Sequence, residues 1–404
     1  MRLESSRGSV FEVLIVFLRL GLTSFGGPVA HLGYFRDEVV ERRKWLDERA
    51  YADLIALCQF LPGPASSQVG IALGLGRAGL PGALAAWIGF TIPSAVALIL
   101  FAYGITAIGD VSDAGWLSGL KVAALAVVAV AILGMSRNLC PDKPRATIAI
   151  ASAIAMLAWP TAIVQVVIII IAGIVGWLLL SDDQGNSVTL QRFHVGRALA
   201  VICLSLFAFF LIGLPLLRQT VTNEFVQVFD SFFRAGSLVF GGGHVVLPLL
   251  QSQVVLPGWV TNEEFIAGYG AAQAVPGPLF TFSAYLGTIL HGHLNMGTPN
   301  AWMSGLFALG AIYVPSFLLV VGVVPFWDQL RRHGAFRKAT RGINAAVVGL
   351  LLAALYNPVW TGAIHSREDF GLALAAFAIL AVWKWPPWLV VVLTALGGQL
   401  IAVL

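Results

Sequence analysis

Two Pro-Gly-Pro tripeptides interrupt long apolar stretches of this sequence and limit what the chain can fold into. The first is Pro62-Gly63-Pro64 and the second is Pro276-Gly277-Pro278, each with a glutamine three residues earlier, Gln59 and Gln273. Proline lacks a backbone N–H group and clashes with the preceding turn, so a helix cannot continue through either tripeptide. Because proline is favoured in the first turn of a helix, each tripeptide predicts that one short helix ends and another begins.

The composition of the chain places these breaks in a membrane. The chain is 58% hydrophobic and 11% charged, whereas a soluble domain carries about 25% charged residues. Segments such as Ala146–Leu180 and Ala301–Phe326 exceed the roughly 20 apolar residues that span a bilayer as a helix. The strands of a membrane barrel require apolar residues that alternate with polar ones. These segments show no such alternation. We therefore predict an all-α polytopic membrane protein of about 12 to 14 helical elements, with broken or re-entrant helices at both tripeptides.

An internal repeat organises the chain. Arginine, tryptophan, glutamine and proline residues occur in the same order in both halves. The frequent occurrence of glycine in membrane proteins does not explain this order. The matching positions are Arg19 with Arg234, Gly26-Gly27 with Gly241-Gly242, Trp45 with Trp259, Gln59 with Gln273, the two Pro-Gly-Pro tripeptides, and Ile92-Pro93-Ser94 with Val314-Pro315-Ser316. We predict a first transporter repeat over residues 1–180, a polar linker with an extra transmembrane helix over 181–222, and a second repeat over 223–404.

The charges of the loops indicate how the repeats are oriented. By the positive-inside rule, loops rich in lysine and arginine are cytoplasmic and loops without them are external. Basic residues are dense in 36–49, 137–145, 192–197 and 331–341, and they are absent from 109–115, 256–264 and 291–300. The first break is then expected to open from the cytoplasm and the second from outside. This pattern predicts two repeats of inverted topology, in which broken helices meet near the membrane midplane, as in many secondary transporters.

The helix starts beside the breaks are candidate anion sites. A helix N-terminus has N–H groups without intrahelical acceptors, and these bind anions. In the first repeat the new helix is expected to begin near Ser66. The clusters Gly26-Gly27 and Gly241-Gly242-Gly243 can either unwind a helix and expose further N–H groups or serve close helix packing. The glutamines Gln59 and Gln273 can donate to an oxyanion or cap the broken helix, and both interpretations stay open.

Two arginines, Arg19 and Arg234, lie inside apolar segments, about two turns before the glycine clusters. A cation at the centre of a bilayer costs about 2.5–3.5 kcal/mol on insertion scales, so it usually has a functional or structural reason. The pair either attracts a dianion into a cavity, or it bonds backbone carbonyls or extends to the membrane surface. The predicted anion-binding residues are Arg19, Gly26, Gly27, Gln59, Pro62, Gly63, Pro64, Ser66, Arg234, Gly241, Gly242, Gly243, Gln273, Pro276, Gly277 and Pro278.

The sequence has no pattern typical of an enzyme. It contains no P-loop, no HExxH or CxxC motif and no paired carboxylates within an apolar segment, so we expect neither catalysis nor a cofactor or bound metal. The formal net charge of +4 is explained by basic cytoplasmic loops and does not indicate a nucleic-acid partner. The polar residues Asp53, Lys121, His244 and Asn344 lie in or beside apolar segments, and the sequence assigns them no role.

Four stretches of the sequence carry a resemblance to a known family. In the first half they are FLRLGLTSFGGPVAHL and the Trp45-Leu46 segment that leads into QFLPGP, and in the second they are FRAGSLVFGGGHVVLPLL and GWVTNEEFIAGYGAAQAVPGPLFTFSAYLG. At these motifs, within residues 11–94 and 226–316, the sequence resembles the chromate ion transporter family in its long, two-domain form. The resemblance implies an inverted duplication, export of chromate in competition with sulfate, chromate resistance, and residence in a bacterial or archaeal inner membrane. One departure is Gly243, which stands where the first half has Pro28, so the two clusters need not bind alike.

The physical argument agrees with this resemblance. A tetrahedral dianion requires several N–H donors and net positive charge, which helix starts from two inverted halves would supply. Its outward movement across an inside-negative membrane is favourable by about 2.3 kcal/mol per charge per 100 mV. We expect a secondary transporter that exports chromate across a bacterial cytoplasmic membrane, with the oxyanion and the lipid bilayer as partners and a homodimer left open. The alternatives are a carrier for sulfate or another oxyanion, and a membrane-embedded enzyme or scaffold without transport.

Overall fold

A computed structural model of the 404-residue chain describes residues 8–25, 27–108, 114–181, 195–221, 223–240, 243–294, 297–330 and 333–403. Within these ranges the chain forms eighteen α-helices and no strand. The first nine are α1 (Val10–Thr23), α2 (Gly27–Arg36), α3 (Glu48–Phe60), α4 (Ala65–Ile108), α5 (Gly115–Leu139), α6 (Lys143–Ala158), α7 (Ala162–Leu179), α8 (Arg197–Thr220) and α9 (Glu224–Leu238). The others are α10 (Val246–Val254), α11 (Asn262–Ala274), α12 (Phe282–His293), α13 (Ala301–Val323), α14 (Trp327–Leu330), α15 (Gly334–Ala354), α16 (Thr361–Ala363), α17 (Arg367–Ala381) and α18 (Pro387–Val403). Short 3-10 and π-helical segments lie between them, at Asp37–Arg42, Gly243–Val245, Leu279–Thr281, Val324–Phe326 and Leu355–Trp360.

Five helices in the described part of the chain are long and apolar enough to cross a membrane. They are Ala65–Ala107, Gly115–Leu139, Arg197–Thr220, Ala301–Phe326 and Gly334–Ala363. The most apolar window of α13 is 72% buried inside the protein and that of α8 is 17% buried, so α13 lies at the centre and α8 at the lipid-facing edge. The prediction of an all-α polytopic membrane protein is confirmed.

Both predicted helix breaks are present. Around the first tripeptide α3 ends at Phe60 and α4 begins at Ala65, and around the second α11 ends before the 3-10 turn Leu279–Thr281. Gly63 and Gly277 adopt φ angles of 129° and 99°, in the region that a residue with a Cβ rarely occupies. The breaks therefore need the glycine as much as the flanking prolines.

The chain has more helical segments than the predicted 12 to 14, and the glycine clusters are one reason. After the first cluster α2 forms a separate ten-residue helix, and after the second α10 forms one of nine residues. Gly26, Gly241 and Gly242 lie outside the described residues. A break also separates α6 from α7 at Trp159-Pro160, which makes Ala146–Leu180 two helices.

The two halves interlock through their later helices. α5 packs against α17 and α18 of the second half, and α15 packs against α6 and α7 of the first. Two glycines mark these seams. A Cβ on Gly119 of α5 would collide with the carbonyl oxygen of Thr394, and a Cβ on Gly342 of α15 would collide with that of Ala172. Small residues at such seams let helix backbones approach closely where the hydrophobic effect does not drive helices together.

An ionic cluster ties the segment Asp37–Arg42 to the start of the chain. The Glu38 carboxylate, 8% exposed, lies 2.8 Å from an Arg42 nitrogen and 2.7 Å from Arg43 Nε. Burial by itself raises the pKa of this carboxyl, but the hydrogen bond from Arg43 and the charge of Arg42 outweigh it and hold the pKa below its ordinary value. Arg43 also reaches Glu12 of α1 at 3.4 Å, so the cluster connects α1 to the segment after α2.

The seam between α5 and α18 gives a test of this packing. We expect Gly119→Ala to lower stability by about 1–3 kcal/mol, since the new methyl group would strike backbone. Gly134, on the same helix, has no atom within 4 Å of its Cβ position, and Gly134→Ala is expected to be neutral or to stabilise the helix by roughly 0.5–1 kcal/mol. Thermal unfolding of the two purified variants in detergent measures the difference. Equal melting temperatures of the two variants would contradict the close packing of α5 against α18 at Gly119.

Candidate functional site

The two Pro-Gly-Pro breaks are joined to the opposite halves of the chain by reciprocal hydrogen bonds. The Gly63 N–H donates to the carbonyl oxygen of Val239 at 2.6 Å, and the Gly277 N–H donates to that of Ser24 at 2.8 Å. Val239 follows α9 and Ser24 follows α1, at matching positions of the sequence repeat. Each break is therefore held against the end of the first helix of the other half.

Matching serines reinforce the same crossed arrangement. A Cβ placed on Gly63 would stand 2.9 Å from the hydroxyl oxygen of Ser316, and one on Gly277 would stand 2.8 Å from that of Ser94. Ser94 and Ser316 follow the aligned prolines of α4 and α13. The two breaks thus have equivalent neighbours drawn from opposite halves.

Tyr313 of α13 connects the two helix starts. Its hydroxyl group lies 3.2 Å from the hydroxyl of Ser67, in the first turn of α4. Its ring lies 5.8 Å from the ring of Phe280, in the turn that precedes α12. Ser67 and Phe280 are 3% and 0% exposed, so the breaks meet inside the protein and do not face lipid.

Several backbone donors at the breaks are already used by protein acceptors. The glycine amides donate to Val239 and Ser24 as described, and the Thr281 N–H donates to the Pro278 carbonyl oxygen at 3.1 Å. At the first break the Gln68 side chain donates to the Pro62 carbonyl oxygen at 2.7 Å. An anion near the breaks would need donors other than Gly63 and Gly277.

A cavity of about 190 Å³ supplies such donors beside the second break. Its polar wall is formed by Gln273 of α11, His244, the backbone around Gly277, and the first residues of α2, Gly27 and Pro28. Its apolar wall comes from the remaining lining residues, Val127, Val130, Ala131, Ala272, Val275, Leu279, Leu380 and Pro387. Elements of both halves therefore enclose one space.

The polar groups of this cavity suit an anion. The Gln273 Nε2 atom is buried near the Tyr269 hydroxyl group and makes no hydrogen bond of good geometry with the described residues. The His244 Nε2 atom faces Gly27 at the start of α2, where a helix N-terminus carries partial positive charge. No carboxylate lines the cavity in the part of the chain that the structure describes. A negatively charged oxygen atom would find donors here and no opposing charge.

The structure distributes the predicted anion-binding residues unevenly around this space. Gly27, Gln273 and Gly277 line the cavity. The other described residues of the predicted set do not line the cavity. They are Pro62, Gly63, Pro64, Ser66, Gly243, Pro276 and Pro278. Gln59, the repeat partner of Gln273, is exposed. Matching residues of the two halves therefore differ in whether they line the cavity.

Neither predicted arginine lines the cavity. Arg234 binds the buried Asp230 carboxylate at 2.7 Å, with Arg218 3.5 Å from the other oxygen atom. Arg19 is exposed, and its charge helps to lower the pKa of Glu38. This geometry favours a structural role for Arg234, one of the two interpretations that the sequence left open. Removal of the arginine partners would leave the buried Asp230 carboxylate without a compensating charge, which destabilises a protein.

The sequence assigns no role to His244, and the structure places it in the cavity wall. Its Nδ1 atom lies 2.7 Å from the Tyr269 hydroxyl oxygen, so the imidazole is oriented by a tyrosine of α11. In the sequence, His244 is marked only by its position after the second glycine cluster, and the first half has Val29 at the matching position. Lys121, 7% exposed, lies in α5 and does not line the cavity. Asp53 accepts a hydrogen bond from the Trp327 ring nitrogen at 3.4 Å.

These features define a multi-pass helical membrane protein with a cavity at the crossing of two broken helices. The family model described as "Chromate transporter" matches residues 11–177 and 226–399. The chain belongs to the chromate transporter family, as its motifs indicated.

Curated relatives match nearly the whole chain. A probable chromate transport protein of Synechococcus elongatus is 25% identical over 96% of this chain and 95% of its own length. A chromate transport protein of Pseudomonas aeruginosa is 26% identical over 94% of this chain and 89% of its own length. One from Cupriavidus metallidurans is 27% identical over 92% of this chain and 87% of its own. No solved structure matches the chain.

The crossed contact at the second break can be tested with a pair of glycine variants. We expect Gly277→Ala to destabilise the protein by about 1–3 kcal/mol through backbone strain alone, and further through contact with Ser94. Gly297 also has a positive φ, 67°, but no atom within 4 Å of its Cβ position. Gly297→Ala should therefore show only the strain cost. The fraction of monodisperse protein that survives heating in detergent measures both variants, and equal losses would contradict a crowded break.

Proposed function

We propose that this protein is a secondary transporter for chromate, and that the cavity between the two chain breaks is its anion-binding site. The observation that carries the proposal is the buried Gln273 amide, which makes no hydrogen bond of good geometry with the described residues and lines a cavity with His244 and the start of α2. Membership of the chromate transporter family and the names of the three relatives support the choice of substrate.

The chemistry of the cavity suits a tetrahedral oxyanion better than a cation or a neutral solute. Its wall offers N–H donors and no carboxylate among the described residues, and charge-assisted hydrogen bonds to an oxyanion are the strong ones. Chromate and sulfate have the same charge and nearly the same shape. Sulfate is therefore expected to compete, and a sulfate carrier of the same build is the second candidate.

The crossed contacts support two repeats of inverted topology, over residues 1–180 and 223–404, with 181–222 as linker and extra helix. The matching glycine seams of α5 and α15 and the reciprocal bonds of Gly63 and Gly277 are what a pseudo-two-fold arrangement would produce. The distribution of basic loop residues makes one repeat open toward the cytoplasm and the other outward.

Export follows from the charge of the substrate. A dianion leaving an inside-negative cell gains about 2.3 kcal/mol per charge for each 100 mV. Outward flux therefore needs no nucleotide hydrolysis by this chain. In the inner membrane of a bacterium such flux would lower cytoplasmic chromate and confer chromate resistance.

Flux measurements in everted membrane vesicles test the proposal. Vesicles that contain the protein are expected to accumulate chromate when the lumen is held positive, and to lose most of that uptake when the potential is clamped at zero. Sulfate should compete in the outer medium. Vesicles from cells with an empty vector give the background. An absence of chromate flux in either direction would overturn the function, and flux of sulfate alone would favour the second candidate.

A substitution of Gln273 tests whether the cavity is the anion-binding site. Gln273→Glu replaces the Nε2 donor by a carboxylate oxygen and keeps the shape of the side chain. We expect chromate flux to fall about tenfold or more, since a lost hydrogen bond to a charged group costs about 1.5–3 kcal/mol. Gln219→Glu makes the same change at an exposed position near the end of α8 and should leave flux intact. Equal flux in both variants, at equal protein levels, would remove Gln273 from the site.

A further inference from the structure

His244 lies in the cavity wall, and one of its two ring nitrogen atoms is held by the protein. Its ring belongs to the 3-10 turn Gly243–Val245, after the second glycine cluster, and lines the cavity opposite α2. The Nδ1 atom contacts the Tyr269 hydroxyl at 2.7 Å. The Nε2 atom lies on the side of Gly27, 3.9 Å from the Cβ position of that glycine. One ring nitrogen is thus anchored by protein and the other is directed at the cavity.

The anchor works for both charge states of the imidazole. A tyrosine hydroxyl group can donate to an unprotonated Nδ1 atom, which leaves the hydrogen on Nε2, facing the cavity. When the ring is protonated, the hydroxyl rotates and its oxygen accepts from Nδ1–H, while Nε2–H still faces the cavity. Tyr269 is 0% exposed, so water does not replace this partner. His244 can therefore gain and lose a proton without losing its orientation.

The walls around His244 contain no fixed positive charge for a dianion. The side chains that face the cavity from α2, α5, α17 and α18 are apolar: Pro28, Val127, Val130, Ala131, Leu380 and Pro387. α11 contributes Gln273 and the Tyr269 hydroxyl, and the turn before α12 contributes Leu279. Within the described residues, His244 and Tyr269 are the titratable groups of this site, and neither Arg19 nor Arg234 lines it.

This environment links the charge of the ligand to the charge of the ring. A dianion in an apolar cavity without a counter-ion loses most of its hydration and regains only neutral hydrogen bonds, which is unfavourable. A proton on His244 supplies the missing cation at hydrogen-bond range. By linkage, a bound dianion must then increase the proton affinity of the imidazole.

We propose that oxyanion binding in this cavity is coupled to the uptake of one proton by His244, with Tyr269 as the positioning residue. The proposal rests on the proposed function, since it requires the cavity to bind an oxyanion. The proton comes from solution and adds to Nδ1, where Nδ1–H then donates to the tyrosine oxygen. No other bond forms or breaks. The carrier then moves the anion together with a proton and transfers one negative charge less than the dianion alone.

A second buried histidine provides the matched control. His31 is 1% exposed, its Nδ1 atom lies 3.4 Å from the Ser66 hydroxyl, and its ring meets Phe90 edge to face. It does not line the cavity. Replacement of His31 by glutamine removes a buried imidazole of the same kind without changing the cavity wall.

The experiment measures sulfate binding to purified protein in lipid nanodiscs between about pH 6 and 8, where histidine side chains titrate. Sulfate takes up no proton of its own in this range, and displacement by chromate shows that both ions share the site. We expect the affinity of the wild-type protein for sulfate to fall as pH rises, by up to about tenfold per pH unit. His244→Gln should bind weakly and without pH dependence, whereas His31→Gln should keep the wild-type slope. Calorimetry in two buffers of different ionisation enthalpy should detect proton uptake in the wild type and none in His244→Gln.

The outcomes separate the two proposals. A pH slope that persists in His244→Gln, or a flat profile in the wild type with measurable binding, overturns the role of His244 and leaves the cavity as an anion site. If neither sulfate nor chromate binds to the wild-type protein, the cavity fails as an oxyanion site and both proposals fall. Tyr269→Phe is a second test in case His244→Gln does not fold. If Tyr269→Phe folds normally, it should reduce the pH dependence of sulfate affinity more than it reduces the affinity at low pH. An unchanged slope in Tyr269→Phe would remove its positioning role.

Discussion

Two backbone hydrogen bonds hold the centre of this protein together. A helix that stops inside a membrane leaves N–H and C=O groups that lipid cannot satisfy, at a cost of several kcal/mol for each group. Here the glycine amide of each Pro-Gly-Pro break is satisfied by the carbonyl group that follows the first helix of the opposite half, at Val239 and at Ser24. The arrangement demands glycine, because both break residues adopt positive φ angles with a serine of the other half close by. The breaks can therefore persist in the membrane only while the halves remain crossed.

The cavity follows from the same crossing. Since Gly277 is drawn to the end of α1, the start of α2 comes to lie against α11 and the turn that carries His244. Beside the first break, Ser66, Ser67 and Gln68 are at most 3% exposed, and Gln59 is exposed where Gln273 lines the cavity. Matching segments of the two halves thus have different surroundings in this structure. An asymmetric state of this kind is what alternating access by the proposed carrier would require.

The sequence allowed the prediction of features that depend on local backbone chemistry. Proline and glycine act on their own turn, so the breaks at Gly63 and Gly277 were predictable from the tripeptides alone. The role of an arginine depends on what approaches it in the fold. The carboxylate that binds Arg234 belongs to Asp230, one turn earlier on the same helix, and Arg218 reaches the same carboxylate from α8. His244 has Val29 as its repeat partner, so the repeat gives it no shared role. Its contact with Tyr269 and its place in the cavity wall exist only in the fold.

The interlocked seams have a consequence for the order in which the chain acquires its structure during synthesis. Helices α6 and α7 pack against α15, which begins at Gly334 and emerges from the ribosome more than a hundred residues after α7 ends at Leu179. Until then the first half has inserted helices whose packing partners do not exist. In the bilayer, lipid therefore covers those helix faces until the second half is inserted.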